Sequence, residues 1–522
     1  MIYFYNLLLL ILCYLSEINS ARILGIIPTP SISHQIVYRP IWKELSQRGH
    51  KVTVLTTDPI NDSSLKNLTE IDLSFSYDLY NNKHNFSDKI DKLAGKPLEM
   101  VNAIITMNAD ICDEQLKHPK VKRLINDPNE HFDVILVEIL QPCMFAFAHR
   151  FKAASIGVVS MDAQSAAYDS VVNPTHPILN PDFMLPLAGK LSFFERVFSV
   201  VISNVMRVYE FLFIIPINDK VIRENFGDDY PSCKDFIQYL DMLFVNVHPI
   251  LSGIRPNVPA VVNIGAGLHI QSPKSLPEDL KSFLDNAPSD VIYFSLGSNV
   301  KSKDIIPSTR QIITETFAEL PYTILWKFEA DSLPNQPKNV KIMKWLPQQD
   351  VLRHPKIKLF ITQAGHQSIE EAIFSHVPMV VMPFFADQEG NAKRIVLKDI
   401  AVKVDHKELT KESFKSSILE VMENKKYREN VKKLAELLQD EPMTGLEKAV
   451  WWTEHVIRHK GAKHYRSAAI EMPFYEYFLL DVIGFLLLVL FIVIYVSVKM
   501  SKLVFKVIFK LCGGEKPKFK RH

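Results

Sequence analysis

The chain has 522 residues, which is too many for one hydrophobic core, so two soluble domains are expected. Hydrophobic residues make up 47% and charged residues 23%, a balance that excludes a disordered chain. The net charge is only +2, and the last 24 residues carry eight Lys or Arg against one Glu. The rest of the chain is therefore slightly acidic and carries no basic surface typical of nucleic-acid binding.

An apolar segment, residues 3–15, begins the chain. Its length is typical of a signal peptide rather than of a spanning helix, so we expect residues 1–20 to be removed. Three N-glycosylation acceptors follow, at Asn61, Asn67 and Asn85. Their clustering behind a signal sequence predicts a loop on the luminal side of a membrane.

The next part of the chain alternates strands with helices, the pattern of parallel βαβ units in an α/β fold. In the first half, the predicted strands are residues 22–27, 51–56, 132–137 and 155–160, and the predicted helices are residues 33–48 and 142–151. In the second half, the predicted strands are residues 291–297, 322–328, 339–344, 358–362, 379–383 and 401–404, with helices such as residues 311–319 and 413–423. A Pro- and Gly-rich segment, residues 248–267, marks the linker. We therefore predict an N-terminal domain over residues 21–250 and a C-terminal domain over residues 251–440.

Residues 183–217 are rich in Phe, Leu, Val and Ile, but charged residues interrupt every run before it reaches spanning length. This pattern predicts amphipathic helices that either surround a pocket or lie against a membrane surface. For Phe193, Phe194, Phe211 and Phe213, packing in the core is the favoured interpretation.

Three of the five cysteines, Cys112, Cys143 and Cys233, lie outside the terminal segments, so at most one disulfide can form among them. No C-x-x-C pair is present, and a zinc site is not expected. Cys143 follows Pro142 at a strand-to-helix junction, where we expect a buried structural thiol.

The C-terminal part predicts a membrane anchor. Residues 441–477 are expected to form helices that return toward the N-terminal domain. Residues 478–498 carry one charge, Asp481, and a helix of this length spans about 30 Å, the thickness of the bilayer core. Residues 499–522 then repeat Lys every three or four positions, which predicts a basic amphipathic helix on an anionic cytosolic leaflet.

The positive-inside rule places the two domains in the lumen, as in a single-pass type I protein. The terminal K-x-K-x-x resembles dilysine retrieval signals, which indicates the endoplasmic-reticulum membrane. A simple extension of the basic tail is the alternative interpretation.

The segment from Trp345 to Gln388 concentrates the residues that suit ligand binding. It contains W-L-P-Q-Q, then T-Q-A-G-H-Q-S-I-E-E, then V-P and P-F-F-A-D-Q. An aromatic side chain is followed by a helix N-terminus, which attracts phosphate, and then by an Asp-Gln pair suited to sugar hydroxyls. These features match the base, the diphosphate and the sugar of a nucleotide-sugar in that order.

With these motifs, the chain resembles the membrane-bound UDP-glycosyltransferases (the UDP-glucuronosyltransferase family) of the insect type. The resemblance covers nearly the whole chain, and the signature W-x-P-Q, T-x-x-G-x-x-S-x-x-E, D-Q matches without a gap. It implies a GT-B architecture, in which two doubly wound Rossmann-like domains face a cleft, plus a C-terminal transmembrane helix. It also implies that the N-terminal domain binds the acceptor and the C-terminal domain binds the UDP-sugar.

The family pattern and the local chemistry agree on most donor-binding roles. The predicted set is Ser298, Trp345, Gln348, Gln363, Gly365, Gln367, Ser368, Glu371, Asp387 and Gln388. Trp345 offers a flat face for uracil and Gln348 an amide for its edge. The turn at residues 363–368 directs backbone N–H groups at the diphosphate, with Ser298 as a further phosphate contact. Glu371 would accept hydrogen bonds from the ribose hydroxyls, while Asp387 and Gln388 would bind the sugar.

The resemblance also assigns the catalytic pair. His34, in T-P-S-I-S-H, matches the histidine that acts as general base, and Glu138 matches the carboxylate that orients it. Many relatives have Asp at the second position, so the longer Glu side chain changes the geometry expected there. Gln363 stands where many relatives have His, which removes a charge near the phosphates. No metal or other cofactor is expected, because the helix N-terminus can stabilise the leaving UDP.

These residues predict inverting transfer of glucose or glucuronic acid from a UDP-sugar to hydroxyl groups of small lipophilic acceptors. The biological setting would be detoxification or conjugation of hormones and metabolites, and the insect-like T-Q-x-G-x-Q-S favours glucose. A non-catalytic, membrane-tethered nucleotide-sugar-binding protein is the alternative, and a transferase that modifies glycolipids is a third. The expected partners are the UDP-sugar, the acceptor and a lipid bilayer, with a homo-oligomer left open.

Overall fold

A computed structural model describes residues 20–85, 97–238 and 240–513. The predicted signal peptide up to residue 19 and the terminal retrieval signal lie outside the described residues. The chain divides into two compact units, residues 1–466 and residues 467–522, which are described separately.

The first unit contains two parallel sheets, as predicted. The first has seven strands in the order β3-β2-β1-β4-β5-β6-β7. These are β1 (Arg22–Ile27), β2 (Lys51–Thr56), β3 (Leu68–Asp72), β4 (Val134–Glu138), β5 (Ala154–Val159), β6 (Met242–Val245) and β7 (Val261–Asn263). The chain order reverses between β1 and β4, so the carboxyl ends of neighbouring strands form a crevice there.

Helices cover both faces of the first sheet. They are α1 (Ile32–Gln47), α2 (Pro97–Lys117), α3 (Pro119–Asn126), α4 (Ala146–Phe151), α5 (Ser165–Asp169), α6 (Phe193–Tyr209), α7 (Ile215–Phe226), α8 (Cys233–Ile237) and α9 (Pro249–Ser252). Shorter helical turns are Ser76–Asp78, Leu79–Lys83, Pro142–Phe145 and Glu210–Ile214. The strands are buried on both sides, which explains their nearly continuous apolar sequence.

The second sheet has six strands in the order β10-β9-β8-β11-β12-β13. They are β8 (Val291–Ser295), β9 (Thr323–Lys327), β10 (Val340–Met343), β11 (Ile357–Thr362), β12 (Met379–Val381) and β13 (Ala401–Lys403). The surrounding helices are α10 (Glu278–Asp285), α11 (Pro307–Ala318), α12 (Gln348–Leu352), α13 (His366–Phe374), α14 (Gln388–Val396), α15 (Lys411–Glu423) and α16 (Lys425–Gln439), with a turn at Ser302–Asp304. Here the reversal of chain order lies between β8 and β11.

Two features describe the junction between the domains. Strand β7 extends the first sheet past the boundary expected near residue 250 and lies inside the predicted linker. Helix α17 (Gly445–His459) then packs on α1 and the first sheet, where Ala449 and Val450 join the core that contains Val37 and Ile41. The chain therefore crosses back to the N-terminal domain after the second sheet, through Gly445–His459.

Cys112 and Cys143 form a disulfide, so the thiol expected at Cys143 is wrong. The sequence did not indicate that α2 crosses the short helix Pro142–Phe145, which brings the two cysteines together. Cys233 is buried as a thiol.

The core position expected for four phenylalanines is also wrong. Phe193, Phe194, Phe211 and Phe213 are each more than half exposed, and the small residues Ser199 and Ser203 face the body of the domain instead. The apolar side of α6 is thus the outer side. By length and composition alone, the continuous helical stretch Phe193–Phe226 could cross a membrane.

The second unit contains the short helices Ala468–Glu471 and Phe474–Tyr477 and a long helix, α18 (Leu480–Leu511). Its length and apolar composition are sufficient to cross a membrane. No Gly or Pro lies between residues 485 and 512, so the helix runs on from the predicted span into the basic tail without a break.

Candidate functional site

A cavity of about 420 Å³ is lined by residues from both domains, at the carboxyl ends of the two sheets. His34 and all ten predicted donor-binding residues line it. In the N-terminal domain the lining comes from the start of α1 and the segment after β5. In the C-terminal domain it comes from the segments after β8, β10, β11 and β12, so residues far apart in sequence meet because their strands are parallel neighbours.

His34 is held by two side chains that follow neighbouring strands. Its Nδ1 lies 2.6 Å from Oε1 of Glu138, the last residue of β4. It also lies 3.0 Å from Oγ of Ser160, which directly follows β5. Glu138 is fully buried, and its other oxygen accepts a long hydrogen bond of 3.4 Å from the Thr29 N–H. The glutamate side chain therefore reaches the imidazole, and Nε2 is the ring nitrogen left for a ligand.

Tyr38 lies one turn after His34 on α1 and is also buried. Burial raises the pKa of its phenol well above the usual value, and the Glu138 carboxylate raises it further. The phenol is therefore neutral, and it adds no charge beside the His34–Glu138 pair.

The turn before α13 has the backbone geometry of an anion-binding site. Ala364 adopts the left-handed conformation (φ 68°), whereas Gly365 has φ −65° and ends the turn as the helix N-cap. The first N–H groups of α13 therefore point out of the helix, where they attract an anion.

Gly297 has φ 79°, and an added Cβ there would lie 2.5 Å from the Gln363 amide nitrogen. A side chain at this position would meet backbone strain, and the Gln363 amide would have to move away from it.

Trp345 is 64% exposed, so it does not serve as core packing. The Lys327 ammonium lies 5.4 Å from its ring centroid. That ammonium is tied to the Gly297 carbonyl at 2.7 Å and to Glu329 at 2.9 Å. The ring is supported from one side and presents an open aromatic surface to the cavity.

Gln348 is already engaged within the protein, unlike the open amide expected from the sequence. Its NH2 group donates to Ser368 Oγ at 2.9 Å and to Glu371 Oε2 at 2.7 Å, and its carbonyl accepts from Tyr293 at 3.1 Å. Gln349 donates to the other Glu371 oxygen at 3.0 Å. The Glu371 carboxylate is thus fixed by two amides before any ligand binds.

Asp387 and Gln388 begin α14, as the sequence predicts. The Gln388 carbonyl oxygen accepts from the backbone N–H groups of Phe384 and Phe385, which leaves its NH2 group as the donor. Asp387 accepts from Asn391 at 2.7 Å. Burial raises the pKa of the Asp387 carboxyl, while the nearby His366 acts in the opposite direction.

Two hydrogen bonds join the domains across the cleft. Gln367 donates to the Ser160 carbonyl at 2.9 Å, and Ser31 donates to Asn299 at 3.2 Å. Gln367 therefore contacts the acceptor-side wall, a contact that the sequence did not suggest.

Sequence reasoning missed several residues of the site. These are Ser160, Asn299, Lys327 and Gln349. The position of Ser160 at a strand end, and of Asn299 and Gln349 beside predicted residues, could have indicated them. Nothing in the local sequence singles out Lys327.

Residues 183–217, which the sequence predicts either around a pocket or against a membrane surface, do not contribute to this cavity. No described residue from 183 to 217 lines the cavity. Leu185, Leu187 and Leu191 instead form a small separate cluster. Residues 193–213 turn their apolar side chains outward, because the side of α6 that packs against the domain carries small residues.

The predicted glycosylation sites lie on the exposed surface. Asn67 directly precedes β3, so this part of the expected loop is a strand. For Asn85, the next two residues of the acceptor motif lie outside the described part of the chain. Within the described residues, no group of three or more His, Cys, Asp or Glu side chains is placed to hold a metal ion.

Two doubly wound domains with a ligand cavity between their strand ends define the GT-B class of glycosyltransferases. Solved structures share this fold. The glycotransferase of kitacinnamycin aligns with a TM-score of 0.56 at 18% identity, over 85% of this chain and 100% of the other. The crystal structure of TcCGT1 in complex with UDP aligns with a TM-score of 0.56 at 15% identity, over 85% and 100%.

Similarity in sequence identifies the family within this class. The family model described as UDP-glucoronosyl and UDP-glucosyl transferase matches residues 22–514, and the chain belongs to that family. UDP-glucosyltransferase 2 of Dactylopius coccus is 34% identical over 91% of both chains. An ecdysteroid UDP-glucosyltransferase of Spodoptera littoralis nuclear polyhedrosis virus is 31% identical over 91% of this chain and 95% of its own. UDP-glucuronosyltransferase 1-2 of Mus musculus is 30% identical over 92% and 91%. The protein is a UDP-glycosyltransferase.

Proposed function

We propose that the protein transfers a hexose from a UDP-sugar to a hydroxyl group of a small lipophilic acceptor, with inversion at the anomeric carbon. The observation that carries this proposal is the pairing of His34 Nδ1 with Glu138 at 2.6 Å. It leaves Nε2 in a cavity whose other wall holds the ten donor-binding candidates.

In the proposed step, Nε2 of His34 takes the proton of the acceptor hydroxyl. The acceptor oxygen then forms a bond to the anomeric carbon of the sugar while the bond from that carbon to the UDP oxygen breaks. Glu138 stabilises the imidazolium that results, because it is buried and within 2.6 Å. The departing diphosphate gains negative charge beside the α13 N-terminus, where backbone N–H groups stabilise it.

On the donor side, uracil stacks on the open face of Trp345, and the ribose hydroxyls donate to Glu371. Gly365, Gln363, Ser368 and Ser298 surround the diphosphate. Asp387 and the Gln388 NH2 group bind the sugar hydroxyls. Gln348 acts mainly by orienting Glu371, since its own amide is occupied by protein partners. Gln367 also contributes to donor binding, from the other side of the turn.

We propose UDP-glucose as the preferred donor and UDP-glucuronate as the poorer one. Among the described residues that line the cavity, the Lys and Arg side chains are Lys274 and Lys327. Lys327 lies over Trp345, and Lys274 contacts Gln271 and Asp350, so both lie at the uracil end. A glucuronate carboxylate would instead lie beside Asp387, where a second negative charge is unfavourable.

The acceptor proposal rests on the apolar residues beside the base. Ile32, Ile36 and Met161 line the cavity next to His34 and provide a surface for a lipophilic molecule. The viral relative is named for ecdysteroids, which fits a hydroxylated lipophilic acceptor. Conjugation of hormones or foreign compounds is the corresponding biological role.

We also propose that the two domains lie in the lumen of the endoplasmic reticulum, anchored as a type I membrane protein by α18. The apolar outer side of α6 then rests against the same bilayer. This outer side includes Phe194, Val201, Val208 and Phe211, all exposed. Substituting Phe194 and Phe211 with Ser should reduce vesicle binding of a chain that ends at residue 466, and unchanged binding would contradict the contact.

The donor proposal is tested by comparing turnover with UDP-glucose and UDP-glucuronate on a phenolic acceptor, using the full chain in membranes. UDP release coupled to conjugate formation is expected with UDP-glucose, with a smaller rate for the other donor. Binding of UDP-glucose without turnover on any acceptor would support a non-catalytic sugar-nucleotide binder instead. His34→Ala is the matched control for background hydrolysis.

A further inference from the structure

His269 is a buried histidine at the junction of the two domains, and no step of the proposed reaction uses it. It follows β7 and precedes α10, on the segment that joins the domains. Only 1% of its surface is exposed. Its Nδ1 lies 3.5 Å from Oε2 of Glu370, and its Nε2 lies 3.3 Å from Oε1 of Glu371.

The imidazole therefore bridges two consecutive buried carboxylates on α13. Two like charges this close destabilise each other unless a cation or several donors compensate them. Neutral groups donate hydrogen bonds to both carboxylates: Gln348 and Gln349 donate to Glu371, and the Ala266 N–H donates to Glu370.

The other titratable groups near this cluster are His366 and Tyr293. His366 Nε2 lies 3.6 Å from Oε1 of Glu370, on the side away from His269. Burial raises the pKa of Tyr293 to well above neutral pH, so it contributes no charge. His269 is thus the imidazole that lies against both carboxylates, and it compensates their charge when it is protonated.

Charge and burial act in opposite directions on His269. Burial lowers the pKa of the imidazole, but the Glu371 and Glu370 carboxylates and the Gln367 carbonyl outweigh it and raise the pKa above its ordinary value. The imidazolium charge compensates the two carboxylates fully at a pH below the ordinary histidine pKa. This compensation is lost as the pH rises through the raised pKa of His269.

We infer that His269 is a positioning residue for the donor: its imidazole holds the Glu371 carboxylate in the orientation that receives the ribose hydroxyls. Gln349 completes the arrangement, because it donates both to Glu371 and to the backbone carbonyl of His269. The inference rests on the proposed role of Glu371 in ribose binding. With this role for His269, the segment that joins the domains is part of the nucleoside site.

The test compares His269→Ala and His269→Gln with the wild-type full-length enzyme in membranes. Both variants should raise KM for the UDP-sugar by about tenfold or more, because the charge pair between the imidazole and the Glu371 carboxylate is lost. The KM of the acceptor and kcat at saturating donor should change by less than about threefold, because His269 is remote from the reacting bond.

Uridine binding as a function of pH is the second measurement, since uridine has a ribose but no phosphate that titrates. The wild type should bind uridine less tightly as pH rises above neutral, and His269→Gln should bind weakly at every pH without this decline. A purely structural role would lower the thermal midpoint and leave the pH profile of uridine binding like that of the wild type. If His269→Ala does not fold, His269→Gln and the wild-type pH profile still decide the question.

Unchanged uridine affinity in His269→Gln would overturn the inference. The Trp345→Ala variant separates this failure from a failure of the proposed function. If Trp345→Ala loses UDP while His269→Gln does not, the nucleotide site is right and the role of His269 is wrong. If neither variant affects UDP, the proposed nucleotide site itself is wrong.

Discussion

On the acceptor side of the cleft, two side chains from separate segments converge on one imidazole, whereas the donor side is built largely from one stretch of chain. Glu138 ends β4 and Ser160 follows β5, and both are already within hydrogen-bonding distance of His34 Nδ1. On the donor side, Trp345 stands open and the carboxylate of Glu371 is held by amides. The proposed catalytic group is thus already hydrogen-bonded within the protein, whereas the proposed donor wall leaves an aromatic face exposed.

This difference indicates how the two walls divide the work. A base must be oriented before the acceptor arrives, so its partners are buried and close. A nucleotide brings its own charge and hydroxyl groups. The donor wall therefore supplies an aromatic face for stacking, N–H groups and hydrogen-bond acceptors that are already oriented. Variants on the acceptor wall should therefore lower kcat, and variants on the donor wall should weaken the binding of UDP.

The largest effect is expected for His34→Ala. Removal of a general base should lower kcat by roughly 10²–10⁴-fold. UDP affinity, measured by calorimetry, should stay within about twofold of the wild type, since His34 lies on the other wall. The matched variant His34→Gln preserves volume and should be equally slow. Transfer at the wild-type rate in either variant would remove His34 from the mechanism.

Glu138→Gln should have the next largest effect, with kcat lowered by roughly 10²-fold. The amide keeps the size of the side chain but cannot compensate an imidazolium. Glu138→Asp sharpens the comparison, because the charge remains while the contact of 2.6 Å must lengthen. We expect a loss smaller than about tenfold for Glu138→Asp. A Gln variant as fast as the wild type beside a slower Asp variant would show that only side-chain length matters.

Trp345→Ala tests the donor wall. Loss of stacking is worth about 1–3 kcal/mol per base, so the Kd of UDP should rise by roughly 5- to 100-fold. At saturating donor, kcat should be close to that of the wild type. Trp345→Phe should recover much of the affinity. A Kd for UDP that does not change in Trp345→Ala would exclude uracil stacking on this ring.

Ser160→Ala is expected to have the smallest effect, a fall in kcat of about two- to tenfold from loss of one neutral hydrogen bond to His34. The Ser160 backbone carbonyl still accepts from Gln367 in this variant, so the contact between the domains is kept. Donor KM should therefore not change. A larger effect on donor KM than on kcat would place Ser160 on the donor wall instead.

Much of the architecture could be predicted because parallel strands buried on both faces have a clear sequence pattern. Strands β1 and β2 begin and end at the residues expected from the apolar runs. Strands β3, β6 and β7 were not predicted. Strand β3 is at the sheet edge and half polar, while β6 and β7 are only four and three residues long. Such segments are too short for a hydrophobic periodicity to be detected.

Nine of the ten donor-binding candidates lie within one contiguous segment, residues 345–388, so a linear motif could place them together beside the cavity. The partners of those residues could not be predicted. Gln348 was expected to face a ligand, but it contacts Tyr293, Ser368 and Glu371, which a linear motif does not reveal. The exposure of Phe194 was also beyond prediction, because an amphipathic pattern does not say which side packs.

The sequence by itself determined the class of the protein and its two doubly wound domains, and it singled out the candidate donor-binding stretch and the candidate general base. These depend on local chemistry: apolar periodicity, turn residues and a conspicuous motif. Only the tertiary structure decided that Cys112 pairs with Cys143, that Ser160 shares the His34 nitrogen, and that His269 bridges Glu370 and Glu371. Such contacts join residues remote in the chain, and their distances depend on how the sheets and helices pack.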